Sequence, residues 1–241
     1  MTDNNLYAAP KSDLNVVRES TGRRTIEESL EQGYDFEIGD VITQAWEAVK
    51  GFKLPLLLAG IIVFVIMMVI ALVAGFLPAP VAFAIEFVFN IISFCFLGGF
   101  AILTLNHLRQ KQVSLTDSLF GFTPMILALA VAYIVVSLFT MIGFILLILP
   151  GIYLATAYSL VAWIIVDNPH LSFWQAMEAS RKLITQHWFK VFFTTLIVGV
   201  IFTLSAFTIV GLFWTFPLVM LTQGIMYQYM IGERRSATTS F

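Results

Sequence analysis

Long apolar runs alternate with short polar breaks along this chain, and the alternation predicts helices that cross a bilayer. Six runs stand out, at about 54–77, 80–105, 124–148, 150–166, 190–209 and 212–231. The first reads LPLLLAGIIVFVIMMVIALVAGFL, with no charged side chain. At about 1.5 Å of rise per residue, each run reaches across a hydrocarbon layer of about 30 Å, the fourth only barely. Helix is the required form, because lipid offers no partner to an unpaired backbone N–H or C=O.

The breaks are of two kinds. Leu77-Pro78-Ala79-Pro80, Leu149-Pro150-Gly151 and the region around Val210-Gly211 are short and uncharged, as tight turns are. The breaks at 106–123 and 167–189 are longer, polar and basic. Runs joined by tight turns make three hairpins, all entered from the basic side.

A short segment of shared pattern precedes each hairpin: FEIGDVITQAWEAVK from Phe36, VSLTDSLFGF from Val113 and LSFWQAMEASRKLI from Leu171. Ser172 and Gln175 have the spacing of a reciprocal helix cap; Ser114 with Asp117 is a weaker version, and Glu37 replaces the hydroxyl in the first copy. Ile38, Val41, Ile42, Ala45, Trp46 and Val49 recur at helical spacing, as do Phe173, Trp174, Met177, Ile184 and Trp188. Glu178 and Lys182 stand four residues apart on the opposite face. The segments are expected to be amphipathic helices along the cytoplasmic interface. Either the chain is a threefold internal repeat, or each hairpin simply needs a lead-in helix.

The expected fold is therefore all-α: a polytopic membrane protein of six transmembrane helices, arranged as three hairpins, each preceded by a short amphipathic helix. Residues 1–35 read as a disordered cytoplasmic tail with one apolar patch at Leu6-Tyr7-Ala8-Ala9-Pro10, residues 36–235 as the membrane domain, and residues 236–241 as a short cytoplasmic tail. Few apolar side chains in the first segment means little burial to offset the entropy of ordering it.

Composition agrees with this picture. The chain is 59% hydrophobic and 12% charged, against about a quarter charged in a soluble domain. Every Lys and Arg falls on one side of the six-run scheme, and basic residues set orientation by staying on the cytoplasmic side. Both termini are thus expected in the cytoplasm. Residues 1–53 hold six basic and ten acidic residues, which argues against an anchor to anionic lipid or a nucleic-acid arm; no nucleic-acid partner is expected. The first apolar run lies behind a long polar segment, so it serves as its own insertion signal rather than a cleaved one. The single cysteine, Cys95, sits within a run and has no intrachain partner.

Candidate chemistry is sparse. Glu86 is the one carboxylate inside a run, and Asn90 stands one turn deeper on the same face; together they form the candidate intramembrane polar site. Helix pairing is the competing reading of both. Pro217 is the candidate helix kink. Gly98, Gly99 and Gly199 would allow helices to approach closely. His107, His170 and His187 are scattered, with no metal-ligand spacing. No phosphate-binding glycine loop or nucleophile–base set is present, so the expectation is no catalytic residue, no cofactor and no metal.

The stretch LPGIYLATAYSLVAWIIVDNPHLSFWQAMEASRKLITQHWFKVFF, residues 149–193, resembles bacterial inner-membrane proteins of the YciC type. It is similar also to the membrane domain of some glycerophosphodiester phosphodiesterases. Leu149-Pro150-Gly151, Asp167, Ser172, Ala176, Ser180 and Arg181 carry the likeness; Phe36-Glu37-Ile38-Gly39-Asp40 and Tyr7-Ala8-Ala9-Pro10 echo it. The resemblance implies a six-helix protein of the bacterial inner membrane. It carries no enzymatic activity over, because no catalytic segment follows residue 231 in this sequence. The expected function is non-enzymatic binding of membrane lipid or of other membrane proteins. The alternative is a small-molecule transporter or channel built on a pseudo-threefold repeat.

Overall fold

The computed structural model describes residues 23–111 and 114–233 and, among these, shows only helices. The Leu6–Pro10 patch, Arg234, Arg235 and the 236–241 tail lie outside the described residues, as does the side chain of Asp117 in the second cap. Ten α-helices follow in order: α1 (Ile26–Gln32), α2 (Ile38–Ala74), α3 (Ala79–Leu108), α4 (Leu115–Phe120), α5 (Ile126–Leu146), α6 (Ile148–Ala157), α7 (Val161–Asp167), α8 (Phe173–Gln186), α9 (Trp188–Ala206) and α10 (Ile209–Met230). A 3-10 turn, Thr123–Met125, leads into α5. Five segments are long and apolar enough to cross a membrane: Ile38–Ala74, Ala79–Leu108, Ser118–Leu146, Ile148–Asp167 and Trp188–Ala206.

Burial is concentrated in one half of the molecule. The second half of α3, from Cys95 to Leu108, packs against α2, α4, α5, α7 and α10. Trp163, Leu103, Leu183, Ile184 and Tyr227 are among its fully enclosed side chains. The other half turns its apolar side chains outward. Phe76 is 83% exposed, Phe83 73% and Leu149 78%. A soluble monomer does not carry contiguous apolar patches on this scale, so this surface suits hydrocarbon.

Three expectations are corrected by packing. The segment 23–35 is not a disordered tail. Thr25 and Glu28 form the reciprocal cap of α1, with Glu28 N–H donating to Thr25 Oγ1 at 3.2 Å and Thr25 N–H to Glu28 Oε2 at 2.9 Å. Ile26, Tyr34 and Phe36 are buried, so a few well-spaced apolar residues suffice where a finished surface receives them.

The first amphipathic segment and the first run are not separate helices. They form one 37-residue helix, α2, about 55 Å long at the standard rise. Val41, Ala45, Ala48, Phe52, Leu56, Ala59, Val63 and Met67 make one buried stripe that passes Pro55 unbroken. That continuous burial outweighs the helical hydrogen bond that Pro55 removes.

The fourth run, in contrast, is two helices. The chain breaks at Tyr158–Leu160 between α6 and α7. The buried Ser180 of α8 donates its hydroxyl to the carbonyl of Ala157 at 2.8 Å, satisfying an acceptor that the break exposes.

α8 is helical with the Ser172–Gln175 cap in place. Its buried face is Ala176, Met177, Ser180, Leu183 and Ile184, packed on α5, α6, α7 and α9. Trp174, assigned to that face by spacing, is 51% exposed. It lies edge-on to Phe139 of α5.

Candidate functional site

Ionisable side chains gather where three helices end together. Asp167 is the last residue of α7, Arg109 directly follows α3, and Glu233 lies just past α10. Arg109 stands between the two acids. Its Nη1 donates to Asp167 Oδ1 at 2.6 Å and its Nη2 to Asp167 Oδ2 at 3.1 Å, a bidentate pair. On the other edge, Nε donates to Glu233 Oε1 at 2.8 Å and Nη2 to Glu233 Oε2 at 2.9 Å.

Arg23 joins from the N-terminal side. Its Nη2 lies 2.7 Å from Asp167 Oδ2 and donates to Asn168 Oδ1 at 3.0 Å. Tyr227 Oη, on α10, donates to Asp167 Oδ2 at 2.9 Å and accepts from Asn168 Nδ2 at 3.1 Å. The four charges balance, two against two. Only 5% of the Asp167 side chain, 13% of Arg109 and 16% of Glu233 reach solvent. Such burial is tolerable only because almost every donor and acceptor is matched.

Electrostatics keep Arg109 cationic. Burial works against its charge, but the hydrogen-bonded carboxylates of Asp167 and Glu233 outweigh that cost and hold its pKa above the usual guanidinium range. The cluster is a clasp whose polar groups face one another.

A second tie runs beside it. Arg24 N–H donates to the Ile231 carbonyl at 2.9 Å, and Arg24 Nη1 donates to the Gly33 carbonyl at 3.0 Å. Gly232, at φ 65°, lies flat against the Arg24 side chain, where a Cβ would sit 2.6 Å from Nε. Tyr34 Oη donates to the Leu183 carbonyl at 2.9 Å, and burial pushes its pKa well above the ordinary phenol value. Lys190 binds Asp35 and donates to the Phe36 carbonyl. That hydrogen bond from Lys190 holds the Asp35 carboxyl below its usual range.

The polar residues singled out from sequence lie elsewhere. Glu86 and Asn90 are both exposed on the first half of α3, and Asn90 Nδ2 donates to the backbone carbonyl of Glu86 at 2.7 Å rather than to its carboxylate. Pro217 is buried inside α10, which runs through it from Ile209 to Met230. The structure brings neither Glu86 nor Asn90 to Pro217 or to the clasp. His107 stacks on Phe52 with ring centroids 4.1 Å apart, and His187 lies edge-on to Tyr34. Among the described residues no group of three His, Cys, Asp or Glu is placed to hold a metal.

Sequence reasoning missed the clasp as a unit. Arg109 falls in the basic break 106–123, Asp167 in the stretch that carries the resemblance, and Tyr227 within the last apolar run. The available signal was positional: Arg109, Asp167 and Glu233 each sit within four residues of the end of a returning run, whereas Arg23 lies far ahead of the first run. Compared with known proteins, the chain matches no family model, no curated protein and no solved structure at significance.

Proposed function

We propose that this is a six-span protein of the bacterial inner membrane with both termini cytoplasmic, akin to the YciC type, and that it works by binding membrane lipid or a membrane partner without catalysis. The observation that carries the topology is the clasp. From Arg23 the chain leaves through α2 and returns through α3 to Arg109. It leaves again through α5 and returns through α6 and α7 to Asp167. A third excursion through α9 and α10 ends at Glu233. Three round trips from one point imply six crossings, with α10, of 22 residues, as the sixth. That these return points also carry the basic residues supports a cytoplasmic location for the clasp.

The binding reading is supported by the division of labour on the surface. The clasp's side chains are committed to one another, whereas broad apolar faces of α2, α5 and α9 are open to lipid. Native mass spectrometry of gently extracted protein tests the function; reproducible absence of any bound lipid or partner overturns it. A reporter fused after residue 79 tests the topology, and a cytosolic signal from it overturns the hairpin scheme.

A further inference from the structure

The N-terminal third of α2 flanks an open groove of about 390 Å³ against α9 and α10. Its apolar walls are Ile42, Trp46, Ile201 and Leu218, and its two charged groups are Glu47 and Lys50. Both charges are exposed, and neither belongs to an ion pair among the described residues. Lys53, the next cation along the helix, is already engaged, with its Nζ 3.2 Å from the centre of the Trp214 ring. Lys50 is therefore the cation left to the groove.

The order of groups along α2 is what identifies an occupant. Up to Lys50 the exposed positions include Asp40, Thr43, Glu47 and Lys50; from Leu54 onward they include Leu54, Leu58, Ile61, Ile62 and Phe64. Read from the apolar stretch toward the start of the helix, the sequence of chemistry is hydrocarbon-facing side chains, then a cation, then an anion one turn on. A zwitterionic phospholipid has the complementary order: acyl chains, then phosphate, then ammonium. Residues three apart on a helix share a face, with Cβ atoms about 5–6 Å apart, so both charges can be met by one headgroup. An anionic headgroup would meet Lys50 equally well but would find Glu47 opposed to it.

We infer that this groove binds a zwitterionic glycerophospholipid, phosphate on Lys50, ammonium on Glu47 and an acyl chain along Ile201 and Leu218. The site rests on the lipid-binding reading above and makes it specific. The test is competition: the full chain, exchanged into mixed micelles holding equal amounts of phosphatidylethanolamine, phosphatidylcholine and phosphatidylglycerol, is read by native mass spectrometry. The expected result is retention of the zwitterionic lipids over phosphatidylglycerol by about tenfold, equivalent to about 1.4 kcal/mol. Glu47→Gln is expected to erase or invert that preference, and Lys50→Gln to lower retention of all three. Lys182→Gln, on the exposed face of α8, leaves the wild-type pattern unchanged. Equal or stronger retention of phosphatidylglycerol by the wild type overturns the proposal without any variant. So does a preference that survives Glu47→Gln. Lipid held without regard to these two charges would remove this site but leave the general binding reading standing; no lipid held at all would remove both.

Discussion

Arg109 presents both edges of its guanidinium to acids, and one of those acids, Asp167, ends a helix that begins more than fifty residues later. The bidentate contact, at 2.6 and 3.1 Å, ties the return of the first excursion to the return of the second. Glu233 adds the third on the remaining edge. One planar side chain thereby fixes the relative positions of three helix ends.

Removing that centre takes away the cation shared by the two carboxylates and leaves Asp167 with Arg23 and the Tyr227 hydroxyl. Breaking a buried pair from one side typically costs about 3–5 kcal/mol. Arg109→Ala should therefore fall well below wild type in thermal stability, followed by size-exclusion fluorescence in detergent. Arg109→Lys should recover only part of the loss, since an ammonium cannot make the forked contact. A wild-type melting curve for Arg109→Ala would show that the clasp is not structural.

At the break between α6 and α7 one buried hydroxyl meets the freed carbonyl. Ser180→Ala removes the donor to the Ala157 carbonyl in a fully buried setting, at a cost of about 1–3 kcal/mol. Hydrogen–deuterium exchange over 155–165 should rise in the variant. Unchanged exchange there would mean that the break holds without Ser180.

Two glycines should respond in opposite ways. At Gly99 an added Cβ would lie 2.7 Å from the Leu119 carbonyl oxygen, so α3 and α4 must separate to admit it. Gly99→Ala is expected to destabilise by about 1–3 kcal/mol. At Gly199 nothing lies within 4 Å of an added Cβ, and Gly199→Ala should be neutral or more stable by up to about 1 kcal/mol through helix propensity. Parallel melting curves of the two variants check the contrast.

The Asp35–Lys190 contact predicts a pH dependence. The Asp35 carboxyl is held below its usual 3.8, chiefly by the hydrogen bond from Lys190. A depressed carboxyl contributes stability above its unfolded pKa and loses it as pH falls through the folded value. Lys190→Met should therefore melt below wild type near pH 7, and the gap should close as pH falls below about 4. Equal melting temperatures at neutral pH would show the contact to be idle.

The all-α class and the presence of five membrane-length apolar helices were legible in the sequence, because lipid imposes a rule on local composition: a segment must satisfy its own backbone and cover it with hydrocarbon. The Ser172–Gln175 cap was legible for the same reason, being a contact between near neighbours. What tertiary packing alone decided concerns residues that local pattern treats alike. A buried stripe joined 38–74 into one helix across Pro55, while the run from 148 to 167 broke where Ser180 could receive the break. Arg109, Asp167 and Glu233 each read as an ordinary charge at the edge of a run, and Arg23 as one charge of a polar tail. Their pairing is set by where three returning helices end, and long-range geometry of that kind leaves no periodicity for a sequence to display.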